Sequence, residues 1–199
     1  MTKPKAFRVA LSGTFQTGDG ELVFPMFDLA PLAGDPDIEF AYVPGVDGRM
    51  TGESLEDFDA LVLLLEKFDA DSIPRSGRLA LVTRFGVGYD TVDVPACTAA
   101  GIAVGITPDG VRRPVATAIL TYILALAGKL MAKDALVRGG PESFALRSNH
   151  MGTGLVGRTL GSIGLGNIGA ELARVCAPLD MRFIAHDPYI DPRSARAVN

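Results

Sequence analysis

The segment Gly164-Leu165-Gly166-Asn167-Ile168-Gly169 has the spacing GxGxxG, which is typical of a loop that binds a dinucleotide. In such a loop the first glycine allows a tight strand-to-helix turn, and the second lets the backbone approach a pyrophosphate. The third lets the helix pack closely on the strand. The free N–H groups at the start of the following helix, together with its dipole, would face the anion.

An acidic residue lies where such a loop needs one. Asp187 follows Gly169 by 18 residues, close to the spacing of about 20 at which a carboxylate accepts the ribose hydroxyls. This favours NAD, because the 2′-phosphate of NADP would meet a like charge. Arg193 and Arg196 are close enough in sequence to offset that repulsion, so NADP stays open.

A second glycine-containing loop, Gly86-Val87-Gly88, follows a predicted strand. In an open α/β sheet, ligands bind beyond the carboxyl ends of the strands, and consecutive backbone N–H groups can form a nest for an anion. Taken alone, the same residues fit a tight turn without a ligand equally well.

The histidines and the paired arginines give weaker signals. His186 adjoins Asp187 and His150 lies in a predicted linker, so we expect surface or turn histidines rather than catalysts. Arg112 and Arg113 could help to hold an anion, but exposed loop arginines are the favoured interpretation.

The two cysteines of the chain, Cys97 and Cys176, both lie in apolar helical patterns. We expect buried, unreactive thiols, because no cationic neighbour in the sequence would activate either one. The chain has no CxxC or HxxxH spacing, so no metal site is predicted.

Short apolar runs alternate with helical patterns, which predicts an α/β chain with mostly parallel sheets. The continuous apolar run over 60–65 predicts a strand buried on both faces. The predicted strands cover 7–11, 38–43, 60–65, 79–83, 102–106, 159–164 and 182–185.

The predicted helices follow capping signals. Asp93 or Val94 caps a helix that has Pro95 in its first turn and ends at Gly101. Pro114 is expected to open a long helix that runs towards 139–140, followed by an irregular segment over 141–155. A further amphipathic helix is expected over 167–177.

Composition and charge exclude several classes of protein. With 48% hydrophobic and 21% charged residues, the chain is neither disordered nor, with two cysteines, a disulfide scaffold. The net charge of −4 argues against a nucleic-acid partner. The longest apolar stretch, 115–127, is shorter than the about 20 residues of a membrane span, and residues 1–13 do not resemble a signal peptide. A soluble, cytoplasmic protein is therefore expected.

The order and spacing of these motifs resembles the D-isomer-specific 2-hydroxyacid dehydrogenases, which include phosphoglycerate dehydrogenases and glyoxylate/hydroxypyruvate reductases. The resemblance extends over roughly residues 60–190, and before it only the strand pattern matches. The motifs that carry it are the segments 86–93, 101–104, 107–108, 114–116, 159–169 and 187–188.

The resemblance implies an α/β fold with two domains and the active site in the cleft between them. A flavodoxin-like or Rossmann-like substrate domain would cover 1–113, a crossover helix and linker 114–150, and the start of a Rossmann NAD-binding domain 151–199. The crossover helix would also support a homodimer. The implied substrate is a small 2-oxo or 2-hydroxy acid such as glyoxylate or hydroxypyruvate.

The resemblance also implies roles for individual residues. Val87 and Gly88 would offer backbone N–H groups to the substrate carboxylate, and Leu65 with Glu66 would line the substrate entrance. The nucleotide would be held by Gly164, Gly166, Asn167, Ile168, Gly169 and Asp187.

The arginine, glutamate and histidine that carry the chemistry of this family lie well downstream of the second strand of its nucleotide domain. The resemblance therefore implies positions beyond Asn199, and no residue of the 199 matches them. No catalytic residue is assigned, and the chain by itself is expected to transfer no hydride. Two alternatives stay open: a non-catalytic, NADH-sensing protein like the corepressors that share this fold, and a truncated product with neither role.

Overall fold

A computed structural model describes residues 6–191 and 193. The chain divides into two compact units, one that extends to Thr107 and one that begins at Pro108. Each unit has a parallel sheet and an apolar core of its own.

The first unit is a five-stranded parallel sheet with short helices. Its strands are β1 (Phe7–Ser12), β2 (Ile38–Val43), β3 (Ala60–Leu63), β4 (Leu81–Arg84) and β5 (Ala103–Gly105). Its helices are α1 (Ala30–Ala33), α2 (Gly52–Leu55) and α3 (Val94–Ala99), with 3-10 turns at Gly13–Phe15 and Ala70–Ser72. The strand order is β2-β1-β3-β4-β5, which is the flavodoxin-like order and confirms the expected fold class.

The central strands are buried on both faces because each face of the sheet has its own apolar cluster. On β1, Ala10 belongs to one cluster, whereas Val9 and Leu11 belong to the other. On β3, Leu61 and Ala60 divide in the same way, as expected when successive side chains point to opposite faces. The burial predicted for the run 60–65 is confirmed as far as Leu64, but the strand ends at Leu63 and Leu65 is exposed.

The order of the strands creates a switch point between β1 and β3, since the chain leaves β1 for one side of the sheet and later continues on the other. In sheets of this kind ligands bind at the carboxyl ends of the strands beside the switch point. The residues that follow the two strands there are the 3-10 turn Gly13–Phe15 and the segment 64–66.

Helix α3 forms as its capping residues predict. The Asp93 side chain accepts the N–H of Ala96 at 2.9 Å, and Pro95 lies in the first turn. Gly101 follows the helix with φ +73°, the left-handed conformation that a helix-ending glycine adopts at little cost.

The second unit contains two parallel strands and four α-helices among the residues that the structure describes. The helices are α4 (Pro108–Ala127), α5 (Leu130–Arg138), α6 (Gly140–Phe144) and α7 (Asn167–Cys176), and the strands are β6 (Thr159–Ile163) and β7 (Arg182–His186). Two 3-10 segments, Ala145–His150 and Ala177–Leu179, complete it. Its core includes Ala116 of α4 and Leu172 and Cys176 of α7.

The long helix differs from the expectation at both ends. It begins at Pro108, which suits a first helical turn as well as Pro114 does, and Pro114 lies inside it. It ends at Ala127 because Lys129 adopts a left-handed φ of +51°, and α5 begins immediately afterwards. The segment expected to be irregular over 141–155 contains most of α6 and a 3-10 helix.

Helix α4 also has the length and hydropathy that a membrane span requires: 20 residues with a mean hydropathy of 1.2 in its most apolar window, 6% of which is buried. The sequence expectation rested on the uninterrupted run 115–127, which is shorter than the helix. The helix carries Asp109, Arg112 and Arg113 in its first two turns, and its Ala116 packs in the core with α7.

Candidate nucleotide and carboxylate sites

The glycine loop of the second unit joins β6 to α7 by a sharp turn. Gly164 has φ +92°, and its N–H donates to the carbonyl of His186 at 2.8 Å, which connects the ends of the two strands. Gly166 is the N-cap of α7. A Cβ at Gly169 would lie 2.9 Å from the Gly164 oxygen, so the helix packs against the loop at a distance that only glycine allows.

The start of α7 presents unused donors to open space. The N–H groups of Gly166, Asn167, Ile168 and Gly169 donate no hydrogen bond to any described residue, and Ala170 is the first whose N–H does, to Gly166 at 2.9 Å. A Cβ built on Gly166 would meet nothing within 4 Å. An anion as large as a pyrophosphate can therefore approach these donors, as it does at many helix N-termini.

Asp187 lies directly after β7 and is tied to the same loop. Its Oδ2 accepts the N–H of Leu165 at 2.8 Å, and its Oδ1 accepts the N–H of Tyr189 at 2.9 Å. These two donors lower the pKa of Asp187 below its ordinary value, so the carboxylate is ionised at neutral pH. Each oxygen can accept a further hydrogen bond, as the hydroxyls of a ribose require.

The structure describes only one of the two arginines that could favour NADP. Arg193 forms an ion pair with Asp191, in which Nη2 lies 2.6 Å from Oδ2 and Nε lies 3.0 Å from the same oxygen. Its guanidinium is therefore partly neutralised before any phosphate arrives. Arg196 lies outside the described residues. These contacts fit NAD better than NADP.

The second glycine-containing loop follows β4 in the first unit. Gly86 has φ +138°, its N–H donates to the Thr107 hydroxyl at 3.0 Å, and its carbonyl accepts the Thr107 N–H at 2.8 Å. The next two N–H groups, of Val87 and Gly88, donate to no described residue. The loop is thus held at Gly86 and leaves two adjacent donors for an anion.

A positive charge lies beside these donors. The Arg84 guanidinium donates to the carbonyl of Phe85, and its Nη1 lies 3.3 Å from the position that a Cβ on Gly86 would occupy. A carboxylate bound by Val87 and Gly88 would therefore be close to a cation.

Leu65 and Glu66, both expected at the substrate entrance, are in different environments. Leu65 is 65% exposed, but Glu66 is buried and contacts the residues that follow β1. Its carboxylate accepts the Thr14 hydroxyl at 2.7 Å and the Thr14 N–H at 3.0 Å. Thr14 was missed by the sequence analysis.

The expectation of loop arginines is wrong, because Arg112 and Arg113 lie in α4. Arg113 pairs with the nearly buried carboxylate of Glu171 on α7 at 2.6 Å, and Arg174 pairs with the same carboxylate at 3.2 Å. Arg112 pairs with Asp109 at 3.3 Å. The pair at Glu171 joins α4 to α7, so its first role is structural.

The remaining candidate groups are the two cysteines and the two histidines. Cys97 and Cys176 are buried as expected, and burial raises the pKa of both thiols. His150 ends a 3-10 segment, and His186 ends β7 with an exposed side chain. Among the described residues, no group of three or more His, Cys, Asp or Glu side chains could hold a metal ion.

A flavodoxin-like sheet, followed by a β-α-β unit with a glycine loop and a terminal carboxylate, is typical of a dinucleotide-binding α/β protein. Residues 28–139 match the catalytic domain of the D-isomer specific 2-hydroxyacid dehydrogenases, and residues 120–199 match the NAD binding domain of the same family. The chain belongs to this family of NAD-dependent dehydrogenases.

Individual relatives agree with that assignment. The chain is 34% identical over 142 residues to the D-3-phosphoglycerate dehydrogenase of Archaeoglobus fulgidus, which covers 71% of the chain and 26% of the relative. It is 36% identical over 137 residues to the glyoxylate reductase of Korarchaeum cryptofilum, covering 68% and 41%. The structure of D-lactate dehydrogenase from Aquifex aeolicus with NAD and lactic acid superposes with a TM-score of 0.73 at 21% identity, covering 96% of the chain and 54% of that structure.

The chain is much shorter than these relatives, since it spans 26% and 41% of the two curated enzymes. The structural likeness at 21% identity shows the fold alone.

The position of the family's catalytic arginine, glutamate and histidine stays a prediction. No described residue is matched to any of the three. No catalytic side chain is therefore assigned to either loop, and the two sites are defined by their binding groups alone.

Proposed function

We propose that this chain supplies the NAD-binding and carboxylate-binding loops of an oxidoreductase that interconverts a 2-hydroxy acid and a 2-oxo acid. Glyoxylate and hydroxypyruvate are small members of that substrate class. The observation that carries the proposal is the presence of unused backbone donors in both glycine loops, each at the carboxyl end of a parallel strand. Membership of the dehydrogenase family supports it.

In the second unit, the N–H groups of residues 166–169 bind the pyrophosphate, and Asp187 accepts the hydroxyls of the adenosine ribose. Both roles follow from hydrogen-bonding capacity, since the donors are unused and the carboxylate is ionised. NAD, when bound, supplies the hydride acceptor or donor.

In the first unit, Val87 and Gly88 bind the carboxylate of the substrate through their N–H groups. Thr107 holds Gly86 from both sides and so fixes the direction of these donors. The Arg84 guanidinium adds attraction for the carboxylate, because charge-assisted contacts are stronger than neutral ones. The backbone thus binds the carboxylate, which all 2-oxo acids share.

We further propose a cytoplasmic homodimer. Helices α4 and α5 expose large apolar side chains, including Tyr122 at 68%, Leu126 at 79% and Met131 at 77%. Large apolar side chains exposed on two successive helices are typical of a protein interface, and a second copy of the chain would cover them.

The nucleotide part of the proposal is tested by titrating the chain with NADH before and after the substitution Gly166→Ala. The added Cβ meets no protein atom within 4 Å, so folding is retained, but it occupies the space through which the pyrophosphate approaches. We expect affinity to fall about tenfold or more, which corresponds to about 1.4 kcal/mol.

Gly154→Ala is the matched control, because a Cβ at Gly154 also meets nothing within 4 Å. It should leave the affinity for NADH unchanged. Equal affinities of Gly166→Ala and the unsubstituted chain would refute the assignment of the pyrophosphate to this loop.

A further inference from the structure

Four phenylalanines lie together beside the carboxylate-binding loop. The ring centroid of Phe85 is 5.3 Å from those of Phe15 and Phe27 and 5.8 Å from that of Phe24, and the rings of Phe15 and Phe27 stack at 4.7 Å. Phe15 is completely buried, whereas Phe85 and Phe24 are 38% and 41% exposed. The cluster therefore has a fixed inner part and an accessible aromatic surface.

This aromatic surface lies at the end of the sheet where the proposed carboxylate site is found. Phe15 closes the turn after β1, and Phe85 is the first residue after β4, immediately before Gly86. Leu65, two residues after the end of β3, is also exposed. The exposed rings thus adjoin both the switch point of the sheet and the unused donors of Val87 and Gly88.

We propose that the substrate is a 2-oxo or 2-hydroxy acid with an apolar side chain of aromatic size, which packs on Phe85 and Phe24. The inference rests on the proposed function, because it requires the carboxylate to lie on Val87 and Gly88. Phe85 then becomes a specificity-determining residue. Burial of an apolar side chain against these rings is favourable, and another aromatic ring can add offset or edge contacts with them.

The charges around the cluster disfavour a second anionic group on the substrate. The buried carboxylate of Glu66 is bonded to Thr14, the neighbour of Phe15. Two basic residues of the same unit, Lys67 and Arg49, pair with Asp69 at 3.2 and 3.3 Å. Arg84 lies at the loop, where its positive charge would be balanced by the carboxylate that every 2-oxo acid has. The negative charge of Glu66 at this edge of the sheet therefore disfavours a phosphorylated side chain.

The test compares three probes on the NADH-saturated chain by ligand-observed NMR: phenylpyruvate, glyoxylate and 3-phosphohydroxypyruvate. We expect phenylpyruvate to bind about tenfold or more tightly than either of the others. Phe85→Ala should remove most of that preference and leave the affinity for glyoxylate within about twofold. Phe24→Ala, which removes a more exposed ring, should also reduce the preference for phenylpyruvate.

Phe7→Ala is the matched control, because Phe7 is an exposed phenylalanine at the opposite end of β1. It should change no affinity. Equal binding of phenylpyruvate and glyoxylate would overturn the inference and leave the proposed function standing, as would tighter binding of the phosphorylated probe. Failure of all three probes to bind while NADH binds would overturn the carboxylate site and the inference together.

Discussion

Glu66 is a buried acid at the carboxyl edge of the first sheet, where the chain after β1 meets the chain after β3. Burial by itself raises the pKa of its carboxyl, but hydrogen bonds from Thr14, the backbone and Ser12 together outweigh that effect and hold the pKa below the ordinary value of 4.5. A depressed pKa in the folded state means that the ionised form contributes stability above the unfolded pKa. That contribution is lost as the pH falls through the folded pKa.

Glu66→Gln should therefore destabilise the protein near neutral pH, by about 1–3 kcal/mol, because the amide cannot accept both Thr14 donors as a charged carboxylate does. The difference from the unsubstituted protein should shrink as the pH falls below the ordinary pKa of 4.5. Urea unfolding over that range measures it.

Glu21→Gln, at an exposed acid, is the control and should show no comparable pH dependence. If the loss of stability in Glu66→Gln stayed constant down to about pH 3, the shape of the side chain rather than its charge would explain the effect.

At the residue scale, sequence patterns located backbone loops better than they located side-chain partners. The spacing of Gly164, Gly166 and Gly169 encodes a turn that the chain forms by itself, so their positions were predictable. The contact of Glu66 with Thr14 joins residues 52 apart in the sequence, and such a contact depends on strand order rather than on local pattern.

Helix α3 is the element whose ends depend most clearly on single residues. The Asp93 carboxylate satisfies the Ala96 N–H, while the Asp93 N–H donates to the carbonyl of Phe68 at 2.8 Å. Asp93→Ala removes the first of these contacts and keeps the second. We expect a loss of about 1 kcal/mol in the free energy of unfolding.

Hydrogen exchange offers a local measurement of that loss, since the amides of the first turn of α3 should exchange faster in Asp93→Ala. Asp90→Ala, at an exposed acid in the preceding loop, is the control. Unchanged exchange in the first turn of α3 would contradict the capping role.

The predicted ends of the long helix α4 were wrong because local sequence signals compete there. Pro108 and Pro114 both suit a first helical turn, and the helix begins at the earlier one. Gly128 and Lys129 interrupt the long apolar pattern between α4 and α5 through a left-handed backbone at Lys129. Lysine carries no strong signal for that conformation, so the sequence alone could not place the break.

At the scale of the whole molecule, alternating strands and helices predicted parallel sheets, and both sheets are parallel. The fold class came from the family resemblance, and the structure supplies the order β2-β1-β3-β4-β5. Periodicity says which residues are buried but not which strands are neighbours. The two compact units also explain why 199 residues contain more than one core.

The exposed apolar side chains of α4 and α5 lead to a prediction about assembly. Light scattering should give a mass twice the 20.9 kDa of the chain, and Leu126→Asp should shift it towards the monomer because it places a charge within the apolar surface. Met26→Asp, at a 93% exposed methionine of the first unit, is the control. A monomer in the unsubstituted protein would refute the proposed dimer.

The central claim is that the glycine loop at the start of α7 binds the pyrophosphate of NAD. Titration of the ¹⁵N-labelled chain with NADH tests it most directly, because each unused donor reports on itself. We predict saturable changes at the amides of Gly166, Asn167, Ile168 and Gly169. Saturation without changes at these four amides, or changes confined to the first unit, would contradict the claim.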